Sequence, residues 1–171
     1  CRCGTQAADG YCRKGPKCAE QYQARLSGPF LDRIDLFFDT PPVSALDLTR
    51  PPPEEGSAEI LARVSAARDQ QTRRYRDRSD HRLRPLNVDA AIEDLTAFAT
   101  PDEAGNALLL DAAQKLDLSA RAYHRVLKVS RTIADLEGSE SVRRIHVAEA
   151  LSYRRRIPGD HAERTAEKLA Y

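Results

Sequence analysis

The chain has 171 residues, and its 27 lysines and arginines nearly balance its 26 aspartates and glutamates, which leaves a formal net charge of +1. Because the charges are so evenly balanced, a global electrostatic attraction to nucleic acid is excluded. A local basic patch that binds nucleic acid is still possible. The sequence contains no apolar run of about eighteen residues, as a spanning helix needs, and no charged-then-apolar leader. We therefore expect a cytoplasmic protein without a membrane partner, long enough for one domain or two small ones.

All four cysteines precede residue 19 and follow the spacing C-x-C-x8-C-x5-C. Four thiolates can close a tetrahedral zinc site, and glycines between them allow the tight turns of such a site. The spacing differs from the usual pair of C-x2-C hooks, so four reduced thiols are the alternative interpretation. The candidate zinc ligands are Cys1, Cys3, Cys12 and Cys18. Because the chain begins with cysteine and not methionine, we expect a fragment or a processed product.

The segment after the cysteines predicts a helix, a further helical turn and a strand. Residues 17–26 have helical spacing, and the Gly-Pro pair that follows is expected to end this helix. A single turn is predicted at 30–33, and the apolar, aromatic-rich residues 34–40 are the best strand candidate before two prolines stop it. Since one strand cannot form a sheet, we expect its partner strands upstream of residue 1. Arg33 lies at this helix-to-strand junction, where it can point at something outside its own fold.

The rest of the sequence predicts a linker and a helical bundle. Residues 41–56 contain five prolines and are expected to form the linker. Apolar residues at helical spacing then predict a small antiparallel bundle over 57–156, followed by a polar tail over 157–171. The arginines near the end of the first bundle helix, between residues 68 and 78, alternate with aspartates. We interpret them as a solvated face in preference to a phosphate-binding patch.

Capping signals predict where the bundle helices begin and end. The last clear helix is expected at about 146–154. Among the core positions, the helical spacing predicts that Ile92 and Leu136 point inward. The predicted starts are Ser57, Asn87, the Thr100–Glu103 capping box with Pro101 at the first helical position, and Ser119, whose helix Gly138 ends.

Arg121 is the second arginine of functional interest. It lies in the first turn of the helix that Ser119 caps, where free backbone N–H groups and the helix dipole favour phosphate. Its guanidinium adds a fixed charge and a bidentate fork, although simple solvation is the commoner role for such an arginine. The sequence has no G-x-x-x-x-G-K-[ST] loop, so it cannot by itself hold a nucleoside triphosphate and its metal. A phosphate that Arg33 and Arg121 both contact would be held by something else.

Four segments carry motifs of one known family. Residues 26–36 are similar to the signature S-G-P-L-L-D-R-I-D-L, and a cysteine-bearing segment precedes them, as in that family. Residues 60–74 are similar to I-x-x-R-V-x-x-A-R-x-x-Q-x-x-R. Residues 118–136 are very close to L-S-A-R-A-Y-x-R-I-L-K-V-A-R-T-I-A-D-L, and residues 146–154 are similar to H-x-x-E-A-L-x-Y-R. The chain therefore resembles the magnesium-chelatase-related AAA+ ATPases of the competence-protein (ComM- and YifB-like) type.

The resemblance implies a ring-forming ATPase whose upstream α/β core carries the Walker motifs. The chain would be mainly α: residues 1–40 form the C-terminal edge of that core, with one strand and the cysteine-rich insertion, and 57–156 form the helical lid. Arg121 matches the sensor-2 arginine of the lid, which reads the γ-phosphate of ATP. Arg33 matches the arginine finger, which reaches the nucleotide of a neighbouring subunit. ATP and Mg²⁺ would be bound mainly by the core, so this chain would not hydrolyse ATP alone.

The resemblance also implies partners. Proteins of this type are associated with DNA uptake and recombination, as hexameric helicases that migrate DNA branches, so a homo-hexameric ring and DNA are expected. Two alternatives stay open. One is an ATPase subunit of the magnesium-chelatase type, which serves magnesium insertion into a porphyrin. The other is a non-catalytic module in which the cysteines bind zinc and the basic stretch 68–84 binds DNA.

Overall fold

A computed structural model shows two compact units, residues 1–34 and residues 35–171. The described ranges contain seven α-helices and two short 3-10 helices. No helix among them is both long and apolar enough to cross a membrane. The domain boundaries that the sequence suggests, at residues 40, 56 and 156, stay predictions. The structure describes residues 18–31, 33–38, 43, 45, 47–51, 55–76 and 86–154.

The described part of the first unit contains helices α1 (Cys18–Gln23) and α2 (Gly28–Leu31). Helix α1 confirms the predicted helix but ends earlier than residue 26. The single turn begins at Gly28 and not at residue 30, because the carbonyl oxygen of Ser27 accepts hydrogen bonds from the N–H groups of Phe30 and Leu31, both at 3.1 Å. The Gly-Pro pair therefore opens this turn, a position in which the fixed φ of proline is favourable.

The second unit has its core around one long helix. Helices α3 (Ser57–Tyr75), α4 (Ile92–Phe98) and α7 (Arg144–Ser152) pack against α6 (Ala120–Glu137), and α5 (Glu103–Lys115) packs against α7. Their buried apolar side chains form one cluster. It includes Tyr75, Leu95, Leu109, Val126, Leu127, Ala134, Val142 and Val147. The predicted helical bundle is confirmed for the described residues.

Helix α6 begins and ends where the sequence predicts. The Oγ of Ser119 accepts a hydrogen bond from the N–H of Ala122 at 3.1 Å, which satisfies one orphan donor of the first turn. At the other end Gly138 takes a left-handed φ of 79°, and the N–H of Ser139 donates to the carbonyl of Ala134 at 2.8 Å. This is the usual glycine-dependent helix stop. Both ends are fixed by local interactions.

The predicted starts of α3 and α4 are wrong. Helix α3 is capped by Gly56, whose N–H donates to the carboxylate of Glu59 at 3.0 Å, so Ser57 is already helical. Asn87 belongs to a separate 3-10 helix, Asn87–Asp89, and Ala91 precedes α4. The side-chain amide of Asn87 instead forms hydrogen bonds in the core, to Tyr75 and Asp135.

Helix α5 begins at Glu103, not at the predicted Pro101. The Oδ1 of Asp102 accepts from the N–H of Gly105 at 2.7 Å, so Asp102 and not Thr100 is the N-cap. Pro101 forms an isolated parallel bridge with Val142, and the N–H of Asp102 donates to the carbonyl of Val142 at 2.8 Å. These contacts between distant segments hold Pro101 outside the helix.

Helix α7 and two core positions also differ from the prediction. Helix α7 begins at Arg144, two residues before the predicted start, because Nδ1 of the buried His146 accepts from the N–H of Arg143 at 2.9 Å and caps the first turn. Ile92 is 59% exposed and Leu136 is 36% exposed, so neither is part of the core. Ile92 is the first residue of the short helix α4 and Leu136 lies in the last turn of α6, at the edges of the packed layer.

The strand predicted at 34–40 is not formed in its described part, residues 34–38. These residues belong to no helix or strand, and the Pro101–Val142 bridge is the only sheet-like pairing within the described ranges. A strand requires a ladder of hydrogen bonds to a neighbour. Here the N–H of Phe37 donates to the carbonyl of Tyr153, after the end of α7, at 2.9 Å. One such bond does not make a ladder.

Candidate functional site

Arg121 is the second residue of α6 and its side chain is exposed. Within the described part of the chain it forms no ion pair with an acidic side chain. The helix has 18 residues, and its internal bonding begins with the N–H of Tyr123 donating to the carbonyl of Ser119 at 2.9 Å. The N–H groups of the first turn and the positive end of the helix dipole therefore lie in the same turn as Arg121. The arrangement suits an anion supplied from outside this helical unit.

Other cations follow Arg121 along the same side of α6 but are already engaged. Arg125, four residues later, donates from NH1 to Oδ1 of Asp35 at 2.5 Å. The Nζ of Lys128 donates to the carbonyl of Val88 at 2.8 Å. Burial lowers the pKa of Lys128, and the positive charge of Arg125 lowers it further. On this stripe Arg121 is thus the cation that the protein leaves available to a ligand.

A small cavity lies next to this stripe. Its volume is about 150 Å³, and Tyr123 and His124 of α6 line it together with residues of α4 and the start of α5. Sites for drug-sized ligands usually occupy roughly 300–1,000 Å³, so this cavity is too small to enclose a nucleotide. This cavity, lined by α4, α6 and the start of α5, is therefore not a nucleotide pocket.

Arg33 lies in the first unit, directly after α2 and in an exposed position. Its backbone N–H donates to the carbonyl of Phe30 at 3.0 Å, and its NH1 donates to the carbonyl of Pro29 at 2.6 Å. The nearby Asp35 pairs with Arg125 of α6. The role of Arg33 as an arginine finger stays a prediction.

Three of the four predicted zinc ligands, Cys1, Cys3 and Cys12, lie outside the described residues. Cys18 begins α1 and is buried. Among the residues that the structure does describe, no three histidine, cysteine or acidic side chains come together to hold a metal. The zinc site therefore stays a prediction.

Sequence reasoning missed a buried ionic network under the C-terminal half of α6. The carboxylate of Asp135 has no exposed surface and accepts from Arg74 at 2.9 Å, from Nε of Arg131 at 3.1 Å and from Nδ2 of Asn87 at 2.9 Å. Tyr75 donates its hydroxyl to Oδ1 of Asn87 at 2.9 Å. Buried charges require such complete pairing.

The network corrects two interpretations of the sequence. The side chain of Arg74 is only 13% exposed, so it does not belong to a solvated face, and Asn87 is a hydrogen-bonding centre and not a helix cap. The spacing of Arg74 in the sequence could have predicted its burial. It follows the buried Gln71 by three residues and the buried Ala67 by seven. Both intervals return to the same face of a helix.

The structure thus defines a class: a small helical domain in which a capped central helix presents an exposed arginine in its first turn. The profile described as "Magnesium chelatase, subunit ChlI C-terminal" matches residues 54–154, and the profile "Magnesium chelatase, subunit ChlI" matches residues 1–48. The chain belongs to the magnesium-chelatase-like family, with relatives of the ComM and YifB kind.

Named relatives support this membership. The competence protein ComM of Haemophilus influenzae is 40% identical over 145 residues, which cover 83% of this chain and 26% of that protein. The uncharacterized protein YifB of Escherichia coli is 38% identical over 141 residues, covering 81% and 26%. The uncharacterized protein Rv2897c of Mycobacterium tuberculosis is 32% identical over 134 residues, covering 78% and 26%. The chain spans about a quarter of the length of these curated relatives.

Proposed function

We propose that residues 57–156 form the nucleotide-sensing lid of a ring-forming AAA+ ATPase, and that residues 1–40 form the adjoining edge of its α/β core. The family membership supports the class of protein. The observation that carries the proposal is the position of Arg121, which is exposed in the first turn of a capped 18-residue helix and has an ordinary helix-terminal anion site around it.

In this proposal Arg121 is the sensor-2 residue of its own subunit. The chemistry comes from ATP with Mg²⁺, bound mainly by Walker motifs that this chain does not contain. Arg121 contacts the γ-phosphate and is neutralised by it, so the lid distinguishes ATP from ADP. The partial positive charge of the α6 N-terminus adds to the same attraction. Arg125 and Lys128 are bound elsewhere and do not substitute for Arg121.

Arg33 is proposed to act on the nucleotide of a neighbouring subunit. An arginine finger stabilises the charge that develops on the transferring phosphoryl group, without forming a covalent bond. The hydrogen bond from NH1 of Arg33 to the carbonyl of Pro29 favours this role, because it limits the freedom of the side chain before it meets its ligand.

We propose DNA as the client, with the hexameric ring migrating DNA branches during natural transformation and recombination. The name of the Haemophilus relative, a competence protein, favours this client. The descriptions of the two family profiles favour the alternative, an ATPase subunit for magnesium insertion into a porphyrin. Under the first hypothesis branched DNA should raise ATP turnover by the full-length protein. Stimulation by a chelatase partner with no response to DNA would contradict it.

A zinc ion bound by the four cysteines also stays part of the proposal.

Replacing Arg121 by alanine tests the lid assignment. A hydrogen bond to a charged group is typically worth about 1.5–3 kcal/mol, so ATP affinity of the full-length protein should fall roughly tenfold to a hundredfold. ADP affinity should change little, because ADP lacks the γ-phosphate. Nucleotide titration by calorimetry measures both values.

Arg144→Ala is the matched control, since Arg144 is also an exposed arginine in the first turn of a helix. It should keep both affinities. An Arg121→Ala protein whose ATP and ADP affinities both equal those of the wild type would exclude the sensor role.

A further inference from the structure

Residues 35–38 are fastened to the helical unit at two points. Asp35 forms its ion pair with Arg125 of α6 at 2.5 Å, across 90 residues of sequence. Phe37 donates its N–H to the carbonyl of Tyr153 at 2.9 Å, and the rings of Phe38 and Tyr153 lie 5.0 Å apart at an angle of 51°. Since these residues form no helix or strand, such individual contacts determine their position.

The ion pair is partly protected from water. The side chains of Arg125 and Asp35 are 29% and 37% exposed, whereas those of the surface pair Lys115 and Asp111 are 71% and 53% exposed. Solvent and salt screen a sheltered pair less than an exposed one. The Asp35–Arg125 contact is therefore better able to hold its segment than an ordinary surface pair.

The two ends of this pair lie close in sequence to the two proposed nucleotide contacts. Arg125 follows Arg121 by four residues, which is about one turn of α6. Asp35 follows Arg33 by two residues, a distance that the backbone limits to about 7 Å. One ion pair thus joins α6, one turn after Arg121, to Asp35, which lies two residues after Arg33.

We propose that the Asp35–Arg125 ion pair is a positioning link between the nucleotide that Arg121 senses and the Arg33 finger that serves the neighbouring subunit. The inference rests on the proposed function, since it gives that function an intrasubunit coupling. When ATP draws Arg121 and the start of α6 toward its γ-phosphate, Arg125 carries Asp35 along. Because only Ile34 separates Asp35 from Arg33, this displacement reaches the backbone that carries Arg33. Asp35 and Arg125 touch no nucleotide themselves.

Neutral substitutions in the full-length protein test the link. Asp35→Asn and Arg125→Gln should each lower kcat for ATP hydrolysis roughly tenfold to a hundredfold, because small misplacements of a catalytic group cost rates of this order. The KM for ATP should stay within about twofold, since Arg121 and the α6 N-terminus are retained. Asp111→Asn, which breaks the exposed pair with Lys115, is the control and should change neither constant.

A charge-swap variant distinguishes a positioning role of the ion pair from a general contribution to the stability of the fold. The double variant Asp35→Arg with Arg125→Asp should recover kcat to within about threefold of the wild type, whereas each reversal alone should not. Unchanged kcat in both neutral variants would overturn the link. So would a fall in kcat that follows the thermal midpoint and is not recovered by the swap. An inactive wild-type protein would contradict the proposed function itself, whereas an active wild type with indifferent variants would contradict only the link.

Discussion

Replacing Arg33 by alanine is expected to lower ATP turnover of the full-length protein by about a thousandfold or more, the usual cost of losing an arginine finger. The variant should still bind ATP with nearly wild-type affinity, because under the proposed function the nucleotide of its own subunit is contacted by Arg121 and the core. Steady-state hydrolysis and nucleotide titration on the same preparation measure the two quantities. The expected signature is a large loss of kcat with little change in binding.

Two companion variants sharpen this result. Arg25→Ala removes another exposed arginine of the first unit and should leave turnover unchanged. Arg33→Lys keeps a positive charge but loses the planar fork of donors, so most of the activity should be lost there as well. Wild-type turnover in Arg33→Ala would remove the finger assignment.

Replacing Asp135 by asparagine is expected to have the largest effect on folding. Its carboxylate has no exposed surface and serves both Arg74 and Arg131, whose side chains are 13% and 1% exposed. Burial lowers the pKa of Arg131, and the neighbouring Asp135 opposes that change. Without the carboxylate, two guanidinium groups would stay close together in the core. Breaking a buried ion pair from one side typically costs about 3–5 kcal/mol.

Urea unfolding of the chain, followed by the helical circular dichroism signal, measures this free energy. Asp111→Asn is the matched control, because Asp111 also pairs with a cation but on the surface, and it should cost less than about 1 kcal/mol. If Asp135→Asn unfolds at the same urea concentration as Asp111→Asn, the buried network does not hold α3 against α6.

The parts of the fold that local interactions determine are predictable from the sequence. Helix α6 is the best example, since Ser119 and Gly138 act within one turn of its ends and set both limits. The start of α5 was mispredicted because contacts between segments distant in sequence decide it: Pro101 bridges to Val142, and Asp102 takes the cap. Residues 34–38 show the same limit, because a strand depends on a partner that its own sequence does not specify.

The candidate site likewise contains some residues that local sequence features identify and others that they do not. Arg121 was identified because its place in the first turn of a capped helix is a local feature. The pairing of Arg125 with Asp35 was not predictable, since it joins residues 90 positions apart. Arg74 was assigned to solvent because its neighbours are charged, and only its packing against α6 shows that Asp135 pairs with it in the core.

A mixed-ring experiment tests the central claim most directly, because it asks whether Arg121 acts within its own subunit and Arg33 on the next. Full-length Arg33→Ala and Arg121→Ala proteins are each assayed alone, at an ATP concentration that saturates the wild type but lies well below the KM of Arg121→Ala, and then mixed in equal amounts under conditions that allow subunit exchange. In a ring of head-to-tail interfaces, about a quarter of the random contacts would pair an intact Arg121 with an intact Arg33. The mixture should therefore regain turnover well above the average of its components, up to about a quarter of the wild type. Turnover no higher than that average would contradict the account.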